Sequence, residues 1–387
     1  MRIAVLTSLY PSPRRPFEGI FAERRWLRMA GRGHEIEVMH PLPWTPPGAG
    51  WLLPGTWGEI AAAPRRELRE AIAVRRPRYL HIPGKALGNA ARFTRCALKH
   101  LAPAEVVVCD YAWPASNVAP ILRQKGQPCV VSGRGSDVLQ VAGEAGLAAE
   151  LAANLRAAGT WCGVSGDLVE AMDGLAGEPR GRLVPNGVDL ELFQISDRAE
   201  ARAGLGLHAD GPLVLVVGHL IERKDPLLAL EAFLAGAPRG ARLAFVGRGP
   251  LEAELAAGVA ARGAGDRVQL VGEKQPAEIA QWLAASNLLL LTSHREGRPN
   301  VVLEALAAGR PVVATEAGGT REVLPEPRML ATSRNAAGIG EHISALLQDP
   351  PQPESLREFV EPLSWERSCE ALELCLADAS ACREVAA

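Results

Sequence analysis

The chain has 387 residues, with 42 Lys and Arg against 44 Asp and Glu, 48% hydrophobic residues and 22% charged residues. These proportions are typical of globular proteins and exclude a disordered chain, a collagen-like fibre and a small disulfide scaffold. The length allows two or three domains, and no apolar run approaches the roughly 18 residues of a membrane-spanning helix.

The first half of the sequence alternates short apolar runs with helix-length segments. Buried strands are predicted at residues 2–8, 35–40, 79–82, 105–109, 128–131 and 161–164. Amphipathic helices are predicted at residues 20–30 and 146–158, and residues 41–64, with several Pro and Gly, are predicted to be mostly loop. Apolar strands separated by helices indicate a parallel sheet covered on both faces.

The same pattern restarts at residue 212, with five further runs: PLVLVVG, ARLAFVG, RVQLVG, NLLLLT and RPVVAT. The break falls near VPNGVDLELF, residues 184–193. We therefore predict an α/β chain with two Rossmann-like, doubly wound parallel sheets. The predicted domains are residues 1–190 and 191–363, followed by a helical segment at 364–387.

Charge and cysteine content bear on the partners and the compartment. Residues 1–100 hold 17 basic and 7 acidic side chains, a balance of +10, and the remainder carries −12. This asymmetry favours an anionic partner for the first domain, although a solvated arginine-rich surface gives the same count. The seven cysteines contain no Cys-x-x-Cys pair and indicate neither a disulfide framework nor a zinc site, which favours the reducing cytoplasm.

The most informative stretch is TSHREGRPNVVLEALAAGRPVVAT, residues 292–315. It predicts a strand, a loop and a helix with Asn300 as N-cap and Gly309 as its stop. Helix N-termini at the carboxyl edge of such sheets bind phosphate. Glu296 and Glu304 accept hydrogen bonds and suit sugar or ribose hydroxyls, but surface positions on a loop and a helix would explain them as well.

This stretch resembles the signature of the retaining glycosyltransferases of family 4, also called group 1. In that family Glu-x7-Glu is followed by Ala-x3-Gly-x-Pro-Val-Val. The matching residues here are Glu296, Glu304, Ala305, Gly309, Pro311, Val312 and Val313. VPNGVD (184–189), VGHLIERKD (217–225) and FVGRGPLEAEL (245–255) resemble further family segments in the right order.

The resemblance implies the GT-B fold, with two Rossmann-like domains facing across a cleft and a C-terminal helix returning to the first domain. It also implies roles for residues of the second domain. Glu296 would bind the donor sugar and Glu304 the nucleotide ribose. Lys224 matches the family's phosphate-binding Lys, and Arg223 beside it could share that role. The donor-binding set is completed by Gly297 and by the amides of Arg298, Asn300 and Val301.

Four further positions follow from the resemblance, and two of them depart from the family. His219 stands where the family has Arg, and it is either a phosphate contact or a polar loop residue. Arg134, in VVSGRGSDVL, stands where the family has a His that contacts the donor sugar, and we place it at the site without assigning a role. Asp137 is either part of that site or an N-cap. Gly19 lies in the first strand-to-helix loop, which closes over donor and acceptor in this family.

The implied activity is that of a hexosyltransferase-type enzyme, EC class 2.4. It would move a sugar from a nucleoside diphosphate sugar to a hydroxyl, with retention of configuration, no metal and no other cofactor. Glu296, Lys224 and Arg134 are the predicted catalytic residues. The alternatives are a nucleotide-sugar 2-epimerase, a catalytically silent nucleotide-sugar-binding protein and a dehydrogenase. The first strand-to-helix loop lacks Gly-x-Gly-x-x-Gly, which argues against the dehydrogenase.

The expected acceptor is a lipid-linked or polysaccharide intermediate of cell-surface glycan synthesis, and no nucleic-acid partner is expected. Residues 65–99 interleave basic and apolar side chains, which predicts peripheral docking on the anionic inner face of the cytoplasmic membrane. The basic residues are Arg65, Arg66, Arg69, Arg75, Arg76, Arg78, Lys85, Arg92, Arg95 and Lys99. Solvated arginines on an ordinary surface would show the same pattern.

Overall fold

A computed structural model describes residues 1–46 and 55–384, without the side chains of Thr56 and residues 382–384. The chain forms two compact units. The first comprises Met1–Asn186 and the C-terminal segment from Trp365, and the second comprises Gly187–Ser364.

The first unit is built on ten strands in its described part. They are β1 (Arg2–Thr7), β2 (Glu35–Met39), β3 (Leu42–Pro43), β4 (Arg66–Arg69), β5 (Ile72–Arg75), β6 (Arg78–Tyr79), β7 (Val106–Asp110), β8 (Cys129–Gly133), β9 (Trp161–Gly163) and β10 (Arg182–Leu183). Its helices up to the second unit are α1 (Ile20–Gly31), α2 (Thr56–Ala62), α3 (Ala86–His100), α4 (Ala112–Ala115), α5 (Ala119–Gln124), α6 (Ser136–Ala142), α7 (Ala145–Ala158) and α8 (Gly166–Ala176).

The large sheet of the first unit has the order β10-β9-β8-β7-β1-β2-β5-β4. Its neighbours run parallel except β4 and β5, which are antiparallel, and β3 and β6 form a separate parallel pair. Side chains of β1 alternate between two buried clusters: Ala4 and Leu6 contact one, and Ile3 and Val5 contact the other. The sheet is therefore covered on both faces, as its continuous apolar strands predict.

The second unit contains a six-stranded sheet in the order β13-β12-β11-β14-β15-β16, with all neighbours parallel. Its strands are β11 (Leu213–Val217), β12 (Arg242–Val246), β13 (Val268–Gly272), β14 (Leu288–Leu291), β15 (Val312–Thr315) and β16 (Leu330–Ala331). Its helices are α9 (Arg198–Gly204), α10 (Pro226–Gly236), α11 (Glu252–Ala261), α12 (Pro276–Ala285), α13 (Asn300–Ala307), α14 (Ala336–Gln348) and α15 (Pro353–Val360). This order is that of a dinucleotide-type doubly wound sheet.

The last helix, α16 (Trp365–Glu384), packs on the first unit. Cys369, Leu372 and Leu376 form a helical stripe that is buried with strand residues of that unit. Arg32, just after α1, also contacts the helix through Glu373, at 2.8 Å. Apolar burial and this ion pair hold α16 against α1.

The unit boundaries differ by a few residues from the predicted ones, because the chain joins the second core just after Asn186. The Val188 amide donates to the Leu363 carbonyl at 2.9 Å, and Val188 and Phe193 are buried in the second unit. The predicted strand at residues 79–82 is wrong, since only Arg78–Tyr79 pairs, and it pairs with Leu42–Pro43.

The predicted loop at 41–64 contains β3 and α2, and its residues 47–54 lie outside the described part of the chain. The same holds for residues 385–387 of the predicted C-terminal segment. Among the described residues, no helix has both the length and the apolarity that crossing a bilayer requires.

Candidate active site

The second sheet changes winding direction between β11 and β14, which is where doubly wound sheets bind ligands at their carboxyl edge. Residues 218–225 follow β11, and residues 292–299 follow β14. The two segments are hydrogen-bonded to each other: the His294 amide donates to the Arg223 carbonyl at 2.8 Å, and Thr292 Oγ1 donates to the Lys224 carbonyl at 3.0 Å. The fold thus brings together two motifs that are about 70 residues apart in sequence.

Glu296 forms an ion pair with Lys224 at this edge. Lys224 Nζ lies 2.5 Å from Glu296 Oε1, and Arg223 Nη1 lies 3.4 Å from Oε2. The Glu296 side chain is only 8% exposed. Burial by itself raises the pKa of this carboxyl, but the charge and hydrogen bond of Lys224, aided by Arg223, outweigh burial and hold the pKa below its ordinary value. The site therefore contains an ionised carboxylate paired with a partly buried ammonium.

The helix that follows, α13, begins at Asn300, and Pro299 is its N-cap. The prediction of Asn300 as N-cap is wrong, because Asn300 is already helical whereas Pro299 is extended, with ψ 99°. Among the described residues, no side-chain hydrogen bond caps the helix at Pro299. Helix geometry directs the first-turn amides, including that of Val301, out of this end. Glu304 lies one turn later on the face of Asn300 and is partly buried.

The loop between Glu296 and α13 is closely supported. A Cβ on Gly318, whose φ is +50°, would lie 2.1 Å from the Glu296 carbonyl oxygen, so only glycine fits against the loop there. Gly297 is partly buried, and Arg298 is buried with no hydrogen-bond partner for its Nε among the described residues. Burial lowers the pKa of Arg298, and Glu322 opposes that shift.

His219 lines a small cavity at the carboxyl end of β11 together with Lys224 and Thr292. The residue itself is exposed. Within the described residues, no grouping of three or more His, Cys, Asp or Glu side chains could hold a metal ion. Lys224 and Arg223 place positive charge near this cavity, and the N-terminus of α13 adds a partial positive charge. Together they suit a phosphate-bearing ligand.

In the first unit, Arg134 is engaged within the protein. Its Nε and Nη2 donate to the two oxygens of Asp110 at 2.7 and 2.8 Å, and its Nη1 donates to Asn186 Oδ1 at 2.8 Å. Trp26 Nε1 also donates to Asp110, and the buried Arg25 donates to Asn186. Burial alone would raise the pKa of Asp110, but Arg134 outweighs it and lowers that pKa. Arg134 thus belongs to a buried network at the carboxyl edge of the first sheet.

Asp137 lies in the first turn of α6, and it is not the N-cap, which is Gly135. Its carboxylate accepts from the backbone amides of Ala112, Arg134 and Gly135. Burial raises the pKa of Asp137 to about 6, even though these amides favour the ionised form. Asp137 therefore shapes the loop around Arg134.

Gly19 precedes α1 with φ +70°. A Cβ there would lie 2.6 Å from the Leu9 carbonyl oxygen, so the loop after β1 can fold back on itself only with glycine at this position. The sequence predicted Gly19 as a donor-binding residue. In the structure, Gly19 allows the loop after β1 to pack closely against the Leu9 carbonyl.

The basic segment at residues 65–99 divides into paired and exposed side chains. Arg69, Arg75 and Arg76 form ion pairs with glutamates. The exposed members are basic and apolar side chains: Arg65, Arg66, Leu68, Leu80, Ile82, Lys85, Leu87, Arg95 and Lys99. The rings of Trp57 and His81 lie 5.8 Å apart, centroid to centroid, in a tilted arrangement. Trp57 and Trp44 are both partly exposed.

Two further residues of the second unit were not singled out by the sequence analysis as site residues. Asp225 holds a left-handed backbone beside Lys224, and Arg334 reaches it from the loop before α14. The Asp-Pro pair at 225–226 is a recognisable helix-start signal, whereas no local pattern marks Arg334.

Comparison with known proteins agrees with this fold. A family model described as "Glycosyl transferases group 1" matches residues 197–361, nearly all of the second unit. The putative teichuronic acid biosynthesis glycosyltransferase TuaC of Bacillus subtilis (strain 168) is 28% identical over 89% of this chain and 88% of that protein. The D-inositol 3-phosphate glycosyltransferase of Acidothermus cellulolyticus is 32% identical over 64% of this chain and 58% of that protein.

Solved structures show the same fold. Sucrose-phosphate synthase from Thermosynechococcus elongatus has a TM-score of 0.77 at 22% identity and covers 99% of this chain and 100% of its own. Anabaena HepE in complex with UDP and glucose has a TM-score of 0.72 at 19% identity, covering 98% and 100%. The fold is that of GT-B glycosyltransferase structures. Residues 197–361 match the group 1 glycosyltransferases, and these relatives are named as glycosyltransferases, which supports a transferase of EC class 2.4.

Proposed function

We propose that this chain is a retaining, metal-independent hexosyltransferase of family 4. Its donor is a nucleoside diphosphate sugar, and its acceptor is a hydroxyl of a lipid-linked or polysaccharide intermediate in cell-surface glycan synthesis. The observation that carries the proposal is the Lys224–Glu296 pair, which lies at the switch point of the second sheet beside the N-terminus of α13.

The donor site follows from this pair. An entering diphosphate takes over the ammonium of Lys224, while the Arg223 guanidinium and the amides of Arg298, Asn300 and Val301 supply further donors. The carboxylate of Glu296, released from Lys224, accepts hydrogen bonds from the sugar hydroxyls. Glu304, one turn into α13, is assigned to the ribose hydroxyls by the family resemblance. His219 and Gly297 complete the lining.

Retention is assigned to a front-face displacement, so no protein nucleophile is required. The acceptor oxygen bonds to the anomeric carbon on the face from which the phosphate oxygen departs. The departing phosphate oxygen takes the acceptor proton. Lys224 and the α13 amides stabilise the negative charge that develops on the diphosphate, a role that a metal has in other transferases.

The first unit contributes the acceptor side in this proposal. Gly19 permits the loop after β1 to close, and Arg134 holds Asp110 and Asn186 in place at the edge of the first sheet. The acceptor class is supported by the similarity to TuaC, whose name places that protein in teichuronic acid biosynthesis.

Peripheral docking on the cytoplasmic face of the membrane is part of the proposal. Leu80, Ile82 and Leu87 are exposed and close in sequence to Lys85, which immediately precedes α3. Trp44 and Trp57 are also partly exposed. Apolar and aromatic side chains with nearby lysine suit the boundary of an anionic bilayer. Such docking would bring the enzyme to a lipid-linked acceptor.

The test is a transfer assay with UDP-, GDP- and ADP-sugars and polyprenyl-diphosphate-linked acceptors, with and without a chelator. NMR of the product should show the donor's anomeric configuration, and the chelator should leave the rate unchanged. An inverted product, or loss of activity with chelator, contradicts the mechanism. An epimerised sugar formed from donor alone would indicate a 2-epimerase, and binding without turnover would indicate a silent binding protein.

A further inference from the structure

The geometry points to Asp225 and Arg334 as positioning residues that hold Lys224 in place for the donor diphosphate. This inference rests on the donor site proposed above, and it assigns a role to two residues that do not themselves reach the ligand. Both lie in the second unit, in loops at the carboxyl edge of its sheet.

The backbone of Asp225 is the first observation. Asp225 has φ +49° and ψ +64°, in the left-handed region that favours glycine. Aspartate tolerates this conformation better than most residues because its short side chain forms local hydrogen bonds. Its Oδ1 accepts from the Leu228 amide at 3.1 Å and so caps α10. Its Oδ2 accepts from Arg334 Nη2 at 2.5 Å and lies 3.3 Å from His294 Nε2.

Arg334 is the second observation, because it joins the two site loops from a third. One guanidinium nitrogen binds Asp225, and the other donates to the Thr292 carbonyl at 2.7 Å. The Thr292 hydroxyl in turn lies 3.0 Å from the Lys224 carbonyl and 2.9 Å from the Asp225 carbonyl. Arg334 therefore clamps the segment after β14 to the segment after β11.

These hydrogen bonds fix the backbone on both sides of Lys224. The carbonyls of Arg223, Lys224 and Asp225 are each within hydrogen-bonding distance of a donor from residues 292–294. With its backbone fixed on both sides, the Lys224 ammonium is directed at Glu296. Pre-organisation of this kind strengthens binding because the protein does not have to order the cation when the ligand arrives.

A double-mutant cycle tests whether Arg334 acts through Lys224. UDP, GDP and ADP are titrated calorimetrically against wild type, Arg334→Gln, Lys224→Gln and the double variant. We expect Arg334→Gln to weaken the best-bound nucleoside diphosphate about tenfold, with no further loss when it is added to Lys224→Gln. Asp225→Asn, which tolerates the left-handed backbone but loses the charge, should show the same non-additivity.

The matched control is Arg262→Gln, which breaks an exposed ion pair with Glu231 on the same unit. It should leave nucleotide binding unchanged. Two results would overturn the role of Arg334 while leaving the proposed donor site intact. They are additive losses of affinity in the double variant, and an affinity of Arg334→Gln equal to that of the wild type. If the wild type bound none of the three nucleotides, the proposed function would fail and the clamp with it.

Discussion

Lys224 Nζ lies 2.5 Å from Oε1 of Glu296, so the main cation and the main carboxylate of the site neutralise each other in the ligand-free protein. In the proposed donor site, a diphosphate must displace this carboxylate to reach Lys224. The sugar hydroxyls then give the released carboxylate new partners. The complete donor therefore gives both Lys224 and Glu296 new partners, whereas a nucleoside diphosphate alone leaves Glu296 without one.

Glu296→Gln should separate these two effects. Without the competing charge, Lys224 should bind a nucleoside diphosphate several-fold more tightly. Transfer should fall about 10- to 100-fold, because a charge-assisted hydrogen bond to the sugar is worth about 1.5–3 kcal/mol. Calorimetric titration and initial rates measure the two quantities. Weaker binding of the sugar-free nucleotide in this variant would show that Glu296 does not compete for Lys224.

Lys224→Met should remove most of the donor affinity without unfolding the protein. The side chain is 19% exposed and its loss leaves Arg223 beside Glu296. We expect the donor KM to rise at least about tenfold, with no rescue by magnesium. Circular dichroism checks the fold, and recovery of activity with magnesium would instead show that a metal can take the place of the ammonium.

Glu304→Gln should weaken the nucleoside part of the ligand. The expected loss is about 1.5–3 kcal/mol for nucleoside diphosphate binding, and a similar loss should appear with the matching nucleoside alone. Lys224→Met should affect the diphosphate but not the nucleoside. If Glu304→Gln affected only ligands that carry a sugar, the assignment to the ribose would be wrong.

The sequence predicted the strands and the two site motifs because these depend on local patterns. The runs that became β11 and β14 are apolar throughout, and their order along the chain places Lys224 and Glu296 at one switch point. The prediction of a strand at residues 79–82 was wrong. The edge of the large sheet is formed by β5 and β4, where Leu68 is exposed, and Tyr79 pairs instead in the small sheet of β3 and β6.

The contacts of Arg134 and Arg334 could not be predicted in the same way. Arg134 meets Asp110 and Asn186, which are 24 and 52 residues away, and Arg334 meets Asp225, 109 residues away. These pairings depend on which loops pack together, and an isolated arginine in a polar loop carries no signal of its partner. A family pattern placed Arg134 at the site, and the geometry shows what its guanidinium binds.

Arg134→Met should destabilise the first unit, because Asp110 would lose its counter-charge in a fully buried position. Breaking such a pair costs about 3–5 kcal/mol. The pKa of Asp110 is lowered by Arg134, so the pair stabilises the fold above the unfolded pKa, and this contribution is lost as pH falls. The loss of stability should be smaller at pH 4 than at pH 7. At pH 7 the variant must bury an ionised carboxylate or protonate it, and at pH 4 protonation of Asp110 costs less free energy. Denaturant unfolding at both pH values measures this, and an equal loss at both would contradict it.

Membrane docking predicts salt-sensitive binding to vesicles that contain anionic lipid. Leu80→Ser with Leu87→Ser should weaken co-sedimentation by removing exposed apolar surface, and Arg66→Glu with Lys85→Glu should abolish its dependence on anionic lipid. Arg75→Gln is the control, because Arg75 is paired with Glu37. Absence of binding at low salt would indicate a soluble acceptor.

The most direct measurement of the central claim is an equilibrium titration of the wild-type chain and Lys224→Met with UDP, GDP and ADP. The account predicts that at least one nucleotide binds the wild type and that its affinity falls at least about tenfold in the variant. Equal affinity for wild type and variant, or no binding of any of the three to the wild type, would contradict it.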